Sequence, residues 1–349
     1  MRGIRRIHTV VGLVLIFAVS ACFSVEVASI HEAARLGDLD KVKAFLDQGI
    51  DINAKNERGQ AAMHVAVNGK QKKITELLIT KGGDVNVKDK WDYTPLYYAI
   101  WNEDANMVSL LVDKGADVNV RVNGDGTPLV YAVWNEDIDM ARLFVNEGAK
   151  LDVKDDEGMT AFHYAVLQAN REFVEFFVDK GADVSGIHGA ACMGDLAQVK
   201  NHLEKGTDVD IKDEVGWTPL YWAVSMGQTD VAELLIAEGA DVGINAKDGS
   251  TTLHQAARAG AVTLVRLLVD KGIDVNVKET YGNTPLHAAA SKGHSLVSEV
   301  LINYGAEVNA RTRNDSTPLH RAVLGGHPDV VKVLMGRGAD VKCHFGKAA

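Results

Sequence analysis

Asn283-Thr284-Pro285-Leu286-His287-Ala288-Ala289-Ala290-Ser291-Lys292-Gly293-His294 is the stretch on which the reading turns. Thr284-Pro285 predicts a helix start, with the threonine hydroxyl as cap for an orphan amide and proline where no amide donor is needed. Gly293 predicts the end of that short helix. Val297, Val300, Leu301 and Ile302 then have the spacing of a second helix, which stops at Gly305 because a chain leaving a helix often enters the left-handed conformation that glycine takes cheaply.

The same phrase recurs on both sides. Its alanine returns as Ala33, Ala66, Ala99, Ala132 and Ala165, then as Ala190, Ala223, Ala256, Ala289 and Ala322, every step being 33 residues except Ala165 to Ala190, which is 25. Five of the six prolines follow threonine in the same place, at Pro95, Pro128, Pro219, Pro285 and Pro318. A glycine closes each unit, from Gly49 to Gly338, and a polar run such as Asp84-Val85-Asn86 leads on to the next. Each unit therefore predicts helix, turn, helix and hairpin. A fixed period of this size means one supersecondary unit stacked on its neighbours.

With its Thr-Pro-Leu-His phrases in ten register-matched copies, the chain resembles the ankyrin-repeat family over about residues 28–342. The resemblance implies an all-α repeat solenoid with β-hairpin fingers, an ankyrin-repeat stack. The short step suggests a division. Ile30–Asp51 and Ile187–Asp208 agree without a gap at 12 of 22 positions, and both lack the Thr-Pro phrase. The sixth copy thus reads as a second start, giving one five-repeat module over 28–185 and another over 186–349, with no full hairpin between 181 and 188.

The first residues read differently. Arg2, Arg5 and Arg6 precede the apolar Val10 to Ala21, which predicts a signal peptide over 1–21. It is short for a membrane span, which needs about 20 apolar residues. Val19-Ser20-Ala21-Cys22 resembles the lipobox of bacterial lipoproteins, which implies lipidation at Cys22, a tether over 22–27 and, with Phe23 next, an outer-membrane location. Cleavage without lipid would leave the chain periplasmic. Cys192 and Cys343 lie far apart in the repeat order and read as two unpaired thiols.

The formal charge is -10, and a leader with three arginines and no acids leaves the remainder more acidic. That balance disfavours nucleic acid, which needs clustered Lys and Arg, and favours a basic partner. No nucleophile elbow, phosphate-cradling glycine loop or close-spaced ligand set is present. No enzyme activity, cofactor or metal is expected. His31, His64, His163, His188, His254, His287 and His320 follow the repeat, so structural hydrogen bonding is the better account of them.

In the family, partners usually meet the hairpin tips and the exposed end of the first helix. Those slots hold Lys90, Trp91, Tyr93, Trp101 and Asn102 in the third repeat, Trp134 and Asn135 in the fourth, Met159, Leu167 and Gln168 in the fifth, and Trp217 and Met226 in the seventh. Glu103 and Glu136 replace the family's glycine after the first helix, within the recurring Trp101-Asn102-Glu103-Asp104 and Trp134-Asn135-Glu136-Asp137. Two readings fit these blocks: a groove for basic side chains, or Asp104 and Asp137 acting only as helix caps. The expected function is capture, inhibition or protection of a partner protein by a monomeric chain. A glycan or cell-wall ligand stacked on the tryptophans is the alternative.

Overall fold

The computed structural model describes residues 29–121 and 126–341. These fall into two compact units that meet between residues 161 and 162, ahead of the break in the repeat register.

The first unit contains α1 (Ile30–Leu36), α2 (Leu39–Asp47), α3 (Ala62–Asn68), α4 (Lys72–Thr80), α5 (Pro95–Trp101), α6 (Ala105–Asp113), α7 (Pro128–Trp134) and α8 (Ile138–Asn146). Helix α9 (Ala161–Leu167) begins at the boundary. The second unit continues with α10 (Arg171–Asp179), α11 (Ile187–Met193), α12 (Leu196–Glu204), α13 (Pro219–Ser225), α14 (Thr229–Ala237), α15 (Thr252–Ala259), α16 (Val262–Asp270), α17 (Pro285–Lys292), α18 (Ser295–Asn303), α19 (Pro318–Leu324) and α20 (Pro328–Gly336). Inner helices α1, α3, α5 and α7 pack in succession in the first unit, as do α11, α13, α15, α17 and α19 in the second, with the even-numbered helices as an outer layer.

Helices of two turns are too short to persist alone in water. They hold because the phrase alanines are buried on the inner helices and let their neighbours approach, while Leu78, Leu111, Phe144, Leu268, Leu301 and Leu334 are buried on the outer ones. Each large side chain removed from water in this way contributes roughly 2 kcal/mol.

Two polar ladders join one repeat to the next. The amide of Ala61 donates to His64 Nδ1 (3.1 Å), and His64 Nε2 donates to the Tyr93 carbonyl (3.0 Å). His254 repeats this between the Thr251 amide and the Asn283 carbonyl, and His287 between the Thr284 amide and the Ser316 carbonyl. The asparagines form the other ladder. Asn86 Nδ2 donates to the Gly115 carbonyl, and its Oδ1 accepts the Asp117 amide. Asn119, Asn276 and Asn309 do the same one repeat on.

The expected β-hairpins are a correction: no strand is formed among the described residues. Tight loops closed by the amide of one residue on the carbonyl four ahead take their place, as in Asn56 to Gln60, Asp89 to Tyr93, Asp213 to Trp217 and Glu279 to Asn283. The reason is lateral competition, because amides such as those of Asp84 and Asp117 are taken by asparagines of the preceding repeat. The threonine caps are also fewer than expected. Thr218 and Thr317 accept the amides of Tyr221 and His320, whereas Thr94 is buried with its hydroxyl unpaired among the described residues.

Between α10 and α11 the connector is only residues 180–186, without such a loop, whereas residues 81–94 separate α4 from α5. The shortened chain passes so close to α11 that a Cβ on Gly189 would collide with the Val184 backbone.

Burial depresses the imidazoles of the ladder. His254 and His287 are each lowered from the ordinary 6.5 to about 4, against the raising effect of the carbonyls they bond. The unfolded chain therefore binds more protons than the folded one between these values. The stability tied to each ring is complete above pH 6.5 and lost as pH falls towards 4, by up to roughly 3 kcal/mol per histidine. The urea midpoint is expected to fall between pH 7 and pH 5. A His254→Ala/His287→Ala variant should start lower at pH 7 and show a flatter slope; an unchanged slope would contradict the assignment.

Candidate interaction surface

Helices α5 and α7 carry the recurring Trp-Asn-Glu-Asp blocks at their ends. Asn102 and Asn135 are the last residues with helical backbone, and Glu103 and Glu136 follow in the left-handed region at φ 52° and 56°. A side chain there costs about 1–2 kcal/mol relative to glycine. Asp104 Oδ1 accepts the Met107 amide (3.1 Å), and Asp137 Oδ1 accepts the Met140 amide (2.9 Å), which caps α6 and α8. The two acids of each block thus divide. The aspartates cap helices, while both glutamates are exposed.

The aromatic residues are organised from Asp89. Its Oδ1 accepts the Trp91 and Tyr93 amides, and its Oδ2 accepts the Tyr98 hydroxyl at 2.7 Å. Gln60 Nε2 donates to the same hydroxyl. Burial first, and then the Asp89 carboxylate, hold the Tyr98 hydroxyl far above the usual phenol range. Around this anchor the Trp101 ring lies 4.4 Å from Tyr93, 5.5 Å from Tyr98 and 6.2 Å from Tyr97. It nevertheless remains 42% exposed. Tyr97 meets Tyr131 edge-on at 5.2 Å, and Tyr131 meets Trp134 at 4.8 Å. Tyr93 and Trp134 are half-buried.

At the loop tip Trp91 is equally exposed, with Lys90 Nζ 4.3 Å above its ring. Asn102 Nδ2 donates to the Asn68 carbonyl, and Lys70 Nζ donates to the Asn102 carbonyl. A groove of about 210 Å³ is lined by Glu103, Ala105, Asn135, Asp137 and Met140.

A family model described as ankyrin repeats matches residues 30–122, 121–186, 187–279 and 275–344. The chain belongs to the ankyrin-repeat family. It is also similar to the human DNA-binding protein RFXANK, at 43% identity over 54 residues, or 15% of this chain and 21% of that protein. Protein phosphatase 1 regulatory subunit 27 of Homo sapiens and Mus musculus matches at 41% over 52 residues, 15% of this chain and 34% of the relative. The chain thus spans a fifth to a third of the length of the relatives it matches. In each case the shared stretch is under two ankyrin periods long.

The remaining residues singled out in the ankyrin register serve packing. Met159 is 8% exposed, in a loop closed by its carbonyl on the Asp155 amide, and Trp217 is 4% exposed. Trp217 stacks on Tyr221 at 4.9 Å and meets Trp222 and His163 at 5.6 Å, while Trp222 Nε1 donates to Asp213 Oδ2. Leu167 and Met226 are buried as well, and Arg258 Nη1 donates to the Leu167 carbonyl.

Asp89 and Asp213 were missed at the sequence level. The signal for them was a fixed interval, an aspartate nine residues before the aromatic that follows the histidine slot, as in Asp89 with Tyr98 and Asp213 with Trp222. Cys192 is buried, and burial pushes its thiol up to about 12. Cys22 and Cys343 lie outside the described residues. Among the described residues, no helix is long and apolar enough to cross a membrane.

Proposed function

We propose that this ankyrin-repeat chain is a protein-binding scaffold of the bacterial cell envelope that captures, inhibits or protects a partner through the aromatic and acidic surface of α5–α8. The observation that carries the reading is Trp101: a large ring held by three tyrosines, yet with nearly half its surface open to solvent. An aromatic that filled a core would be covered, and one without a role would not need such support. Rigid, partly exposed tryptophans are the kind of residue that dominates binding energy at interfaces. Trp91, Tyr93, Asn102, Glu103, Trp134, Asn135 and Glu136 complete the surface. The acidic balance of the chain, -10, suits a basic segment of the partner.

A glycan ligand is less well supported. A sugar site needs an amide free to bond hydroxyls, and the Asn102 side-chain amide donates to the Asn68 carbonyl. The location rests on the first 22 residues, whose basic start, apolar run and lipobox-like end support export and lipidation at Cys22, with an outer-membrane anchor.

Capture from a solubilised envelope extract tests the surface. A protein retained by the chain from Cys22 onwards is expected to be lost by Trp101→Ala/Trp134→Ala, and retention at full affinity would contradict the placement. Metabolic labelling with a fatty acid tests the anchor. Label should enter the full chain and not Cys22→Ala, and label entering both or neither would exclude it.

A further inference from the structure

We infer that α9 and α10 form a hinged cover within the second unit: α9 occupies in cis a helix-binding face of α13 and α15, which a partner helix of the same chemistry takes when the cover lifts. In a regular array an inner helix meets only the one before and the one after it. Helices α11, α13 and α15 pack in that succession. Three steps separate α9 from α15 in the repeat order, and at the usual 8–10 Å between packed helices they amount to roughly 24–30 Å, which no single side chain crosses. Arg258 at the end of α15 nevertheless donates from Nη1 to the carbonyl of Leu167, the last residue of α9, at 3.1 Å. The start of α9 skips a repeat as well. Phe162 lies 5.7 Å from Trp222, and His163 lies 5.5 Å from Trp222 and 5.6 Å from Trp217, with its Nε2 4.0 Å from Asp213 Oδ2. Helix α9 has therefore left the row and is held at one end by α13 and its loop and at the other by α15.

The occupant observed on this face defines what it takes. Arg258 shares its slot with Ser225 and Cys192 of the two preceding repeats, both buried, whereas Trp101 in the same slot of the first unit is exposed. A cation at the last carbonyl of a helix satisfies an acceptor that the helix leaves orphaned and complements its dipole. The ligand is thus a short helix with an aromatic residue and a histidine at its start and a free carbonyl at its end. The cover fits incompletely. Gln168 Oε1, one residue beyond α9, and Ser225 Oγ are buried without a partner among the described residues, so each has lost its hydration without replacement. The link from α10 to α11 supplies the hinge, because residues 180–186 contain two exposed glycines, Gly181 at φ 93° and Gly186, and small loop residues absorb the backbone change of such a motion.

Hydrogen–deuterium exchange on the full chain tests the hinge. Amides of α9 are expected to exchange by local opening, roughly tenfold faster than the equivalent amides of α13, and Arg258→Ala should accelerate α9 further while leaving α13 unchanged. Fluorescence titration with a labelled peptide of residues 160–170 tests the face. The peptide is expected to bind Phe162→Ala/Leu167→Ala, in which the cover is loosened, roughly tenfold more tightly than the unaltered chain, and adding Arg258→Ala should abolish that gain. Exchange of α9 only together with α13 in the unaltered chain would overturn the inference whether or not the double variant folds. So would a peptide that binds neither chain or both equally, or a gain that survives Arg258→Ala.

Discussion

An imidazole held between an amide of its own repeat and a carbonyl of the next is the interaction on which the rest depends. At His64, His254 and His287 the ring both fixes the start of an inner helix and ties down the loop that begins the following repeat. Both functions require a neutral ring with its proton on Nε2, because Nδ1 accepts an amide and a carbonyl can only accept. Burial supplies that state by disfavouring the charged form. The asparagine ladder acts in parallel at the opposite end of each connector, and together they set the distance and register between neighbours.

With cohesion assigned largely to these ladders and to the buried alanines, the side chains at the ends of the inner helices are freer to vary. The chain uses that freedom unevenly. In the first unit the slot carries the exposed Trp101 and the half-buried Trp134, each beside tyrosines. In the second unit the corresponding place holds the buried Leu167, Cys192 and Ser225, then Arg258, Ser291 and the exposed Leu324, none of them aromatic. The first unit is therefore where the fold leaves aromatic surface for a partner, and the glutamates of the same blocks give that surface its charge.

Much of this was legible in the residues. Alternation of capped and glycine-terminated helices follows from local chemistry repeated at a fixed interval, and the loss of a connector loop before α11 follows from a single short step. The loops themselves were not legible as loops. Asp-Val-Asn runs suggest hairpins, but whether an amide pairs across its own hairpin or with the neighbouring asparagine depends on the repeat beside it. Trp217 and Met159 show the same limit. Their slots match that of Tyr93, yet Trp217 packs against Tyr221, Trp222 and His163 and is covered. The Asp89 anchor lay within reach as a nine-residue interval, but an aspartate in an acidic chain does not stand out until its carboxylate is seen to join a loop tip to a tyrosine.

The most direct test of the account is the protonation of the ladder itself. Long-range proton–nitrogen NMR correlation on the histidine rings at pH 7 should show His64, His254 and His287 as neutral Nε2–H tautomers, with His254 and His287 remaining so at pH 5. Nδ1–H tautomers at pH 7, or doubly protonated His254 and His287 rings at pH 5 in the folded chain, would contradict it.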